Sequence, residues 1–161
     1  FDVFEGRNGL SIYDHWADGY KTLHGLMTHA FPNQFFIGYY QGGLNASTTE
    51  QYRQQASHCV YIIKEALARG ISAVEPSMEA QDAWVRHLRE TAVDLTDFQS
   101  ACTPSYYNNE SEAKTGSDGK AKYRHFLGET YGPGWTAFEK ILQDWRDKGD
   151  LDGMLVRIDG Q

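Results

Sequence analysis

Cysteine is scarce in this sequence, and so are the features that mark export, membrane insertion or nucleic-acid binding. There are two cysteines, Cys59 and Cys102, too few for a disulfide-built scaffold and compatible with a reducing compartment, so a bridge between them is not expected. Nowhere do about 18 apolar residues run together, and no basic-then-apolar segment opens the chain, so neither a membrane span nor a secretory leader is supported. Positive charge is also in deficit: 15 Lys plus Arg stand against 22 Asp plus Glu, for a net charge of −7. No basic run interleaves with aromatics as a nucleic-acid surface requires. The expectation is a cytoplasmic protein with neither a nucleic-acid nor a membrane partner. Asn45-Ala46-Ser47 and Asn109-Glu110-Ser111 match the glycosylation sequon, a pattern short enough to arise by chance.

Motifs that carry chemistry are missing as well. The six histidines, His15, His24, His29, His58, His87 and His125, form no H-E-x-x-H and no compact ligand spacing with acids or cysteines, so no metal is expected. His24 and His29 read as packed or hydrogen-bonded residues near a pocket. No G-x-S-x-G elbow surrounds a serine, and nothing beside either cysteine would activate its thiol. Glu79, Asp82, Glu90 and Asp94 read as a solvated helix face. Gly42-Gly43 is not a G-x-G-x-x-G and has no Walker lysine. No catalytic residue is nominated.

What is present is a globular composition, 40% hydrophobic and 14% aromatic over 161 residues. That is enough for one domain burying roughly 70% of its unfolded surface. No repeat or composition shift divides the chain, so residues 1–161 are read as a single unit of α/β class with three main helices, a few short strands and a long mobile loop. Phe1-Asp2-Val3-Phe4 is apolar and strand-like with no initiator Met, and reads as an interior point of a longer polypeptide. Glu5-Gly6-Arg7-Asn8-Gly9 marks a tight turn. The run 34–39, between Pro32 and the later glycines, is the best buried-strand candidate.

A helix is expected from about Glu50 to Arg69, ended by Gly70, with Tyr52, Ala56, Cys59, Val60, Ile63 and Leu67 forming an apolar face. A second follows Pro76, with Ser77 as N-cap, Glu79 in its first turn and Trp84, Val85, Leu88 and Ala92 inward, running to about Leu95. A third starts at Gly132-Pro133-Gly134, with Pro preset for its first turn, and presents Trp135, Phe138, Leu142 and Trp145. Leu151 to Ile158 is read as a terminal strand, and Thr103 to Tyr123 as a long functional loop. Between 37 and 50, strand, glycine turn and helix start succeed one another. That layout offers unpaired N–H groups to an anion or a polar edge, or forms an ordinary loop capped by Ser47, Thr48 or Thr49.

Several blocks in order carry a family resemblance: Gly6-Arg7-Asn8-Gly9, Trp16-Ala17-Asp18-Gly19, Thr22-Leu23-His24-Gly25, and the run from His29 through Pro32 to Phe36. The likeness continues through Gln54-Gln55, Tyr61 to Ala66, Glu79-Ala80, Trp84-Val85, Cys102 to Glu110, Tyr131 to Gly134, Phe138 and Asp144-Trp145-Arg146. Together they resemble the C-terminal third of Baeyer–Villiger monooxygenases, nearest to those acting on cyclopentadecanone-type and terpenoid ketones.

The resemblance implies an intact enzyme that binds FAD, is reduced by NADPH, and uses O2 to turn ketones into esters or lactones, the cofactors carrying the chemistry. It implies that this segment completes an FAD-binding, Rossmann-like domain, with Asn45, Ser47, Thr48 and Thr49 at the cofactor. Ala46, in the same stretch, would stand at the substrate, as would Tyr106 and Tyr107 in the loop from Thr103 to Glu110, where many relatives carry tryptophan instead. The family's two Rossmann fingerprints and its active-site arginine have no counterpart in 1–161, so the segment alone is expected to be inactive and to need the remaining FAD and NADP domains as partners. Two rival readings stand beside it: a non-catalytic binding module, and part of an N- or S-oxygenating flavin enzyme.

Overall fold

A computed structural model describes residues 4–38, 41–93, 103, 114–115, 121–122 and 130–159. Loop residues 104–113, with Tyr106 and Tyr107, and also Cys102, lie outside the described residues.

The chain enters through the expected tight turn. Arg7–Gly9 form a 3-10 turn in which Asn8 and Gly9 take φ of 59° and 73°, and Glu5 bridges to Ser11 across it. Ser11 then caps a one-turn helix α1 (Ile12–His15), its Oγ accepting from Tyr13 N at 3.2 Å. Leu23 and Met27 pair around a reversal whose central residues, His24 and Gly25, have φ of 55° and 69°, the positive pair a type I′ turn requires.

Helix α2 (Thr48–Ala68) begins at Ser47, whose side chain accepts from Glu50 N, and ends where Gly70 adopts φ of 65°. A strand the sequence reading passed over follows at once: β1 (Ile71–Pro76). Ser77 caps α3 (Met78–Thr91), accepting from Ala80 N. Two-residue strands β2 (Lys114–Thr115) and β3 (Ala121–Lys122) pair with each other. Helix α4 (Trp135–Lys148) leads to β4 (Met154–Ile158), which pairs antiparallel with β1, Val74 opposite Val156, with an irregularity between Ile71 and Ala73.

Two apolar clusters tie these elements together. Leu26, Met27, Cys59, Ile62, Val74, Trp145 and Leu151 join the 22–28 reversal to α2, β1 and α4. Leu23, Trp84, Leu88, Phe138 and Leu142 join α3 to α4. Each fully buried Leu or Phe in them contributes about 1.5–3 kcal/mol.

Four expectations need correction. Residues 34–37 have no regular secondary structure and enter no ladder; Phe36 N donates to Leu26 O at 2.8 Å, and Ile37 is exposed. The real strand, Ile-Ser-Ala-Val-Glu-Pro, is short, and its Ser, Glu and terminal Pro hid it. The apolar stripe of α2 is not its inward face: Tyr52, Val60, Ile63 and Leu67 are exposed, whereas Gln51, Gln54, Gln55, His58, Cys59, Ile62 and Ala66 are buried. The helix is turned by one residue, about 100°, from the expected orientation. Pro133 lies before the α4 cap, Gly134, rather than inside the first turn. Trp84, Val85 and Leu88 of α3 are buried as expected, but the helix stops at Thr91, short of Leu95, and Ala92 is its exposed C-cap.

Candidate functional site

The start of α2 is built as an exposed polar end. Asn45 Oδ1 accepts from Ser47 N at 2.8 Å, and Ser47 Oγ accepts from Glu50 N at 3.4 Å. Asn45 is half-buried, while Ala46, Ser47, Thr48 and Thr49 are exposed. Backbone amides of a first helical turn lack intrahelical acceptors, and the helix dipole places partial positive charge among them. Glu50 is engaged with Arg53 through a close bidentate contact, and that hydrogen bond holds its carboxyl below the usual range. Electron-rich, hydrogen-bond-accepting groups are what this end can receive.

The turn leading into it has no strand partner, so side chains satisfy its backbone. Gln55 Nε2 donates to Gly38 O at 2.7 Å while its Oε1 accepts from Gly38 N at 3.1 Å. Gln51 Nε2 donates to the same carbonyl at 3.3 Å, and its Oε1 accepts from Asn45 N at 3.1 Å. Further along, Gln41 Oε1 accepts from Thr22 N at 2.8 Å and Thr22 Oγ1 at 2.9 Å, and its Nε2 donates to Tyr20 O at 2.7 Å. Trp84 Nε1 donates to Gln41 O at 3.0 Å, and Tyr131 N to Gly42 O at 3.0 Å. Gly43 lies against Phe138, where an added Cβ would sit 2.7 Å from a ring carbon. Buried amides leave few alternatives to these bonds, which is why Gly38, Gln41, Gly42 and Asn45 are held without a ladder.

The histidines divide between two environments. His24 and His58 line a cavity of about 10 Å³, together with Leu23, Leu26, Met27, Ile62, Trp145 and Met154; it is scarcely large enough for one water. Burial lowers the pKa of His24 to about 4 and that of His58 to about 2, the latter helped by His24 and Arg146. Both rings are therefore neutral. His29 lies elsewhere: its Nδ1 donates to Pro76 O at 2.9 Å, and its backbone N donates to Gln81 Oε1 at 2.8 Å. Close by, Arg7 pairs with the buried Glu75 at 2.8 Å. The 10 Å³ cavity has no room for a ketone, and among the described residues no cluster of three or more His, Cys, Asp or Glu could hold a metal.

The residues nominated from sequence thus fall in two groups. Asn45, Ala46, Ser47, Thr48 and Thr49 are gathered at one helix end; Tyr106 and Tyr107 lie outside the described residues. Sequence reading missed Gln41, Gln51 and Gln55. The available signal was Gln51, Gln54 and Gln55 at i, i+3, i+4 spacing, continuing with His58 and Ile62 along the face that is buried.

No family profile matches the chain. Its relatives are FAD-binding monooxygenases: one from Penicillium brasilianum is 36% identical over 163 residues, 96% of this chain and 24% of that protein. That likeness spans almost every element described above, and the relative it points to is a flavoprotein monooxygenase. Within the class, a Baeyer–Villiger monooxygenase of Streptomyces coelicolor is 36% identical over 152 residues, 94% of this chain and 23% of that one. The solved polycyclic ketone monooxygenase of Thermothelomyces thermophila superimposes with a TM-score of 0.81 at 30% identity, over 96% of this chain and 24% of that structure. The chain is a homologue of Baeyer–Villiger monooxygenases, and it spans about a quarter of the length of the curated relatives it matches. Among the described residues no helix is long and apolar enough to cross a membrane.

Proposed function

We propose that residues 1–161 form one wall of the flavin and ketone pocket in an FAD- and NADPH-dependent Baeyer–Villiger monooxygenase, and that they need the rest of the FAD and NADP domains to act. The observation that carries this is the exposed donor-rich end at 45–49, in a chain homologous to FAD-binding monooxygenases. The donor set fits the group: Ser47, Thr48 and Thr49 hydroxyls and the first-turn amides of α2 suit the carbonyl-bearing edge of an isoalloxazine. The helix dipole there favours negative charge.

When bound, FAD supplies the redox chemistry by which NADPH and O2 are used to insert one oxygen into a ketone. This chain's part is to bind and orient. Asn45 fixes Ser47, Ser47 fixes the helix start, and Ala46 offers a small apolar surface beside them for the ketone; Tyr106 and Tyr107 are assigned to the substrate side. The exposed stripe of Tyr52, Val60, Ile63 and Leu67 supports further protein covering α2, as a multidomain enzyme provides. The buried thiol of Cys59 suits a reducing, cytoplasmic setting.

The test is the intact mass of the protein from its native source with an absorbance scan near about 450 nm for bound flavin. A mass several times 18.3 kDa with flavin present supports the assignment. A mass near that of this chain, without flavin, replaces it with a non-catalytic binding module. Product analysis with a ketone against an amine or sulfide then separates oxygen insertion from N- or S-oxygenation.

A further inference from the structure

We propose that Gln55 and Gln51 are positioning residues that set the turn from Gly38 to Ser47, and through it the orientation of the flavin-facing edge; this rests on the function proposed above. Gln55 grips a single residue in both directions, donating to Gly38 O at 2.7 Å and accepting from Gly38 N at 3.1 Å. Gln51, one turn earlier on α2, donates to the same carbonyl and accepts from Asn45 N at 3.1 Å. Both ends of the turn are thereby tied to the helix that the turn feeds. Asn45 passes the constraint on, because its Oδ1 holds Ser47 N. Neither glutamine belongs to the exposed edge; both are buried beneath it and act through Asn45 and Ser47.

Only a carboxamide offers a donor and an acceptor side by side at neutral pH; an ionised carboxylate offers acceptors alone. Gln54 provides a control within the same helix. It is equally buried, yet among the described residues its Nε2 and Oε1 have no hydrogen-bond partner, so it ties none of them in place. If buried polarity as such were at work, Gln54 would matter as much as its neighbours.

The experiment compares Gln55→Glu, Gln51→Leu and Gln54→Leu in the complete flavoenzyme. Flavin stoichiometry, flavin midpoint potential, visible spectrum and the separate kcat and KM values are read for each. Gln54→Leu is expected to match wild type. Gln51→Leu and Gln55→Glu are expected to keep their flavin, shift its spectrum and potential, and lower kcat about tenfold, the scale of a small misplacement at a reacting centre, with KM for NADPH unchanged. Gln55→Glu also carries its own rescue. Once protonated, its carboxyl can donate to Gly38 O again, and burial raises the pH at which that happens. Its difference from wild type should close as pH falls from about 8 to about 6. Spectra and potentials matching wild type in all three variants overturn the proposal, as does a Gln54→Leu shift as large as the others. A wild-type protein without flavin sinks the underlying function and this proposal together, and is recognised before any variant is made.

Discussion

Acidification should destabilise this protein strongly before its carboxylates titrate, through His24 and His58. Both rings sit edge-on to tryptophan, His24 5.2 Å from Trp84 and 5.7 Å from Trp145, and His58 5.1 Å from Trp145. Burial holds their pKa values at about 4 and about 2, against 6.5 for an ordinary histidine. The folded state thus resists a proton that the unfolded state accepts below pH 6.5. Stability from this source is complete above that value and declines as pH falls toward the folded pKa. At pH 5 each ring has lost about 1.5 pH units' worth, at about 1.4 kcal/mol per unit, so the pair costs about 4 kcal/mol relative to pH 7.5. Set against a typical total of about 5–15 kcal/mol, that is a large fraction. His15, also lowered chiefly by burial, acts in the same direction. Glu50, lowered from 4.5, acts only below this window.

The assay is urea unfolding at steps from pH 7.5 to 5, followed by tryptophan fluorescence, since Trp84 and Trp145 report on the cluster itself. His24→Gln and His58→Gln should each remove about half of the pH-dependent loss. A stability that is flat over this range, or a decline just as steep in the double variant, would refute the reasoning.

Two further outcomes follow from packing. Gly43→Ala would drive a methyl to 2.7 to 2.9 Å from three carbons of Phe138, itself fully buried. It should cost about 1–3 kcal/mol in chemical denaturation, and an unchanged midpoint would show that the α4 contact is not as described. The Cys59 thiol, buried and raised to about 11 by that burial, should resist a thiol reagent at pH 8 in the folded protein and react at once in urea. Fast labelling without denaturant would contradict its place in the core.

The sequence made the helices legible because their signals are local. Ser77 as a cap, Gly70 as a stop, and Trp84, Leu88, Phe138 and Leu142 at helical spacing all act within a few residues of one another, and each is where the pattern put it; for α2 the cap is the first of the three candidates Ser47, Thr48 and Thr49. Strand β1 was not legible, since its definition lies in pairing with β4, some 80 residues away. A six-residue run ending in Glu-Pro has no alternation to reveal. The opposite error, a strand at 34–39, came from reading a compact apolar run without asking for its partner. Residues 45–49 could be nominated only through family resemblance, because nothing local separates a ligand-facing N-cap from an ordinary one.

The misreading of α2 has a physical cause that bears on function. An apolar stripe points inward when a helix has one covered side and nothing polar to serve there. Here the first half of the helix faces Gly38 and Asn45, whose backbone groups lie outside any ladder, Gly38 buried and Asn45 half-buried. Such groups demand partners, and glutamine is long enough to reach them from a helix. Gln51 and Gln55 therefore occupy positions where Leu or Ile would otherwise stand, while Cys59, Ile62 and Ala66 face inward further along and Tyr52, Val60, Ile63 and Leu67 are left on the outer side. A local rule fails at the segment that presents Asn45 to Thr49, as expected where a chain holds a particular backbone shape at some expense to its own pattern. That Gly38 and Asn45 are held by buried amides, and not by a ladder that any register-preserving sequence could supply, is the strongest structural reason to look for function beside them.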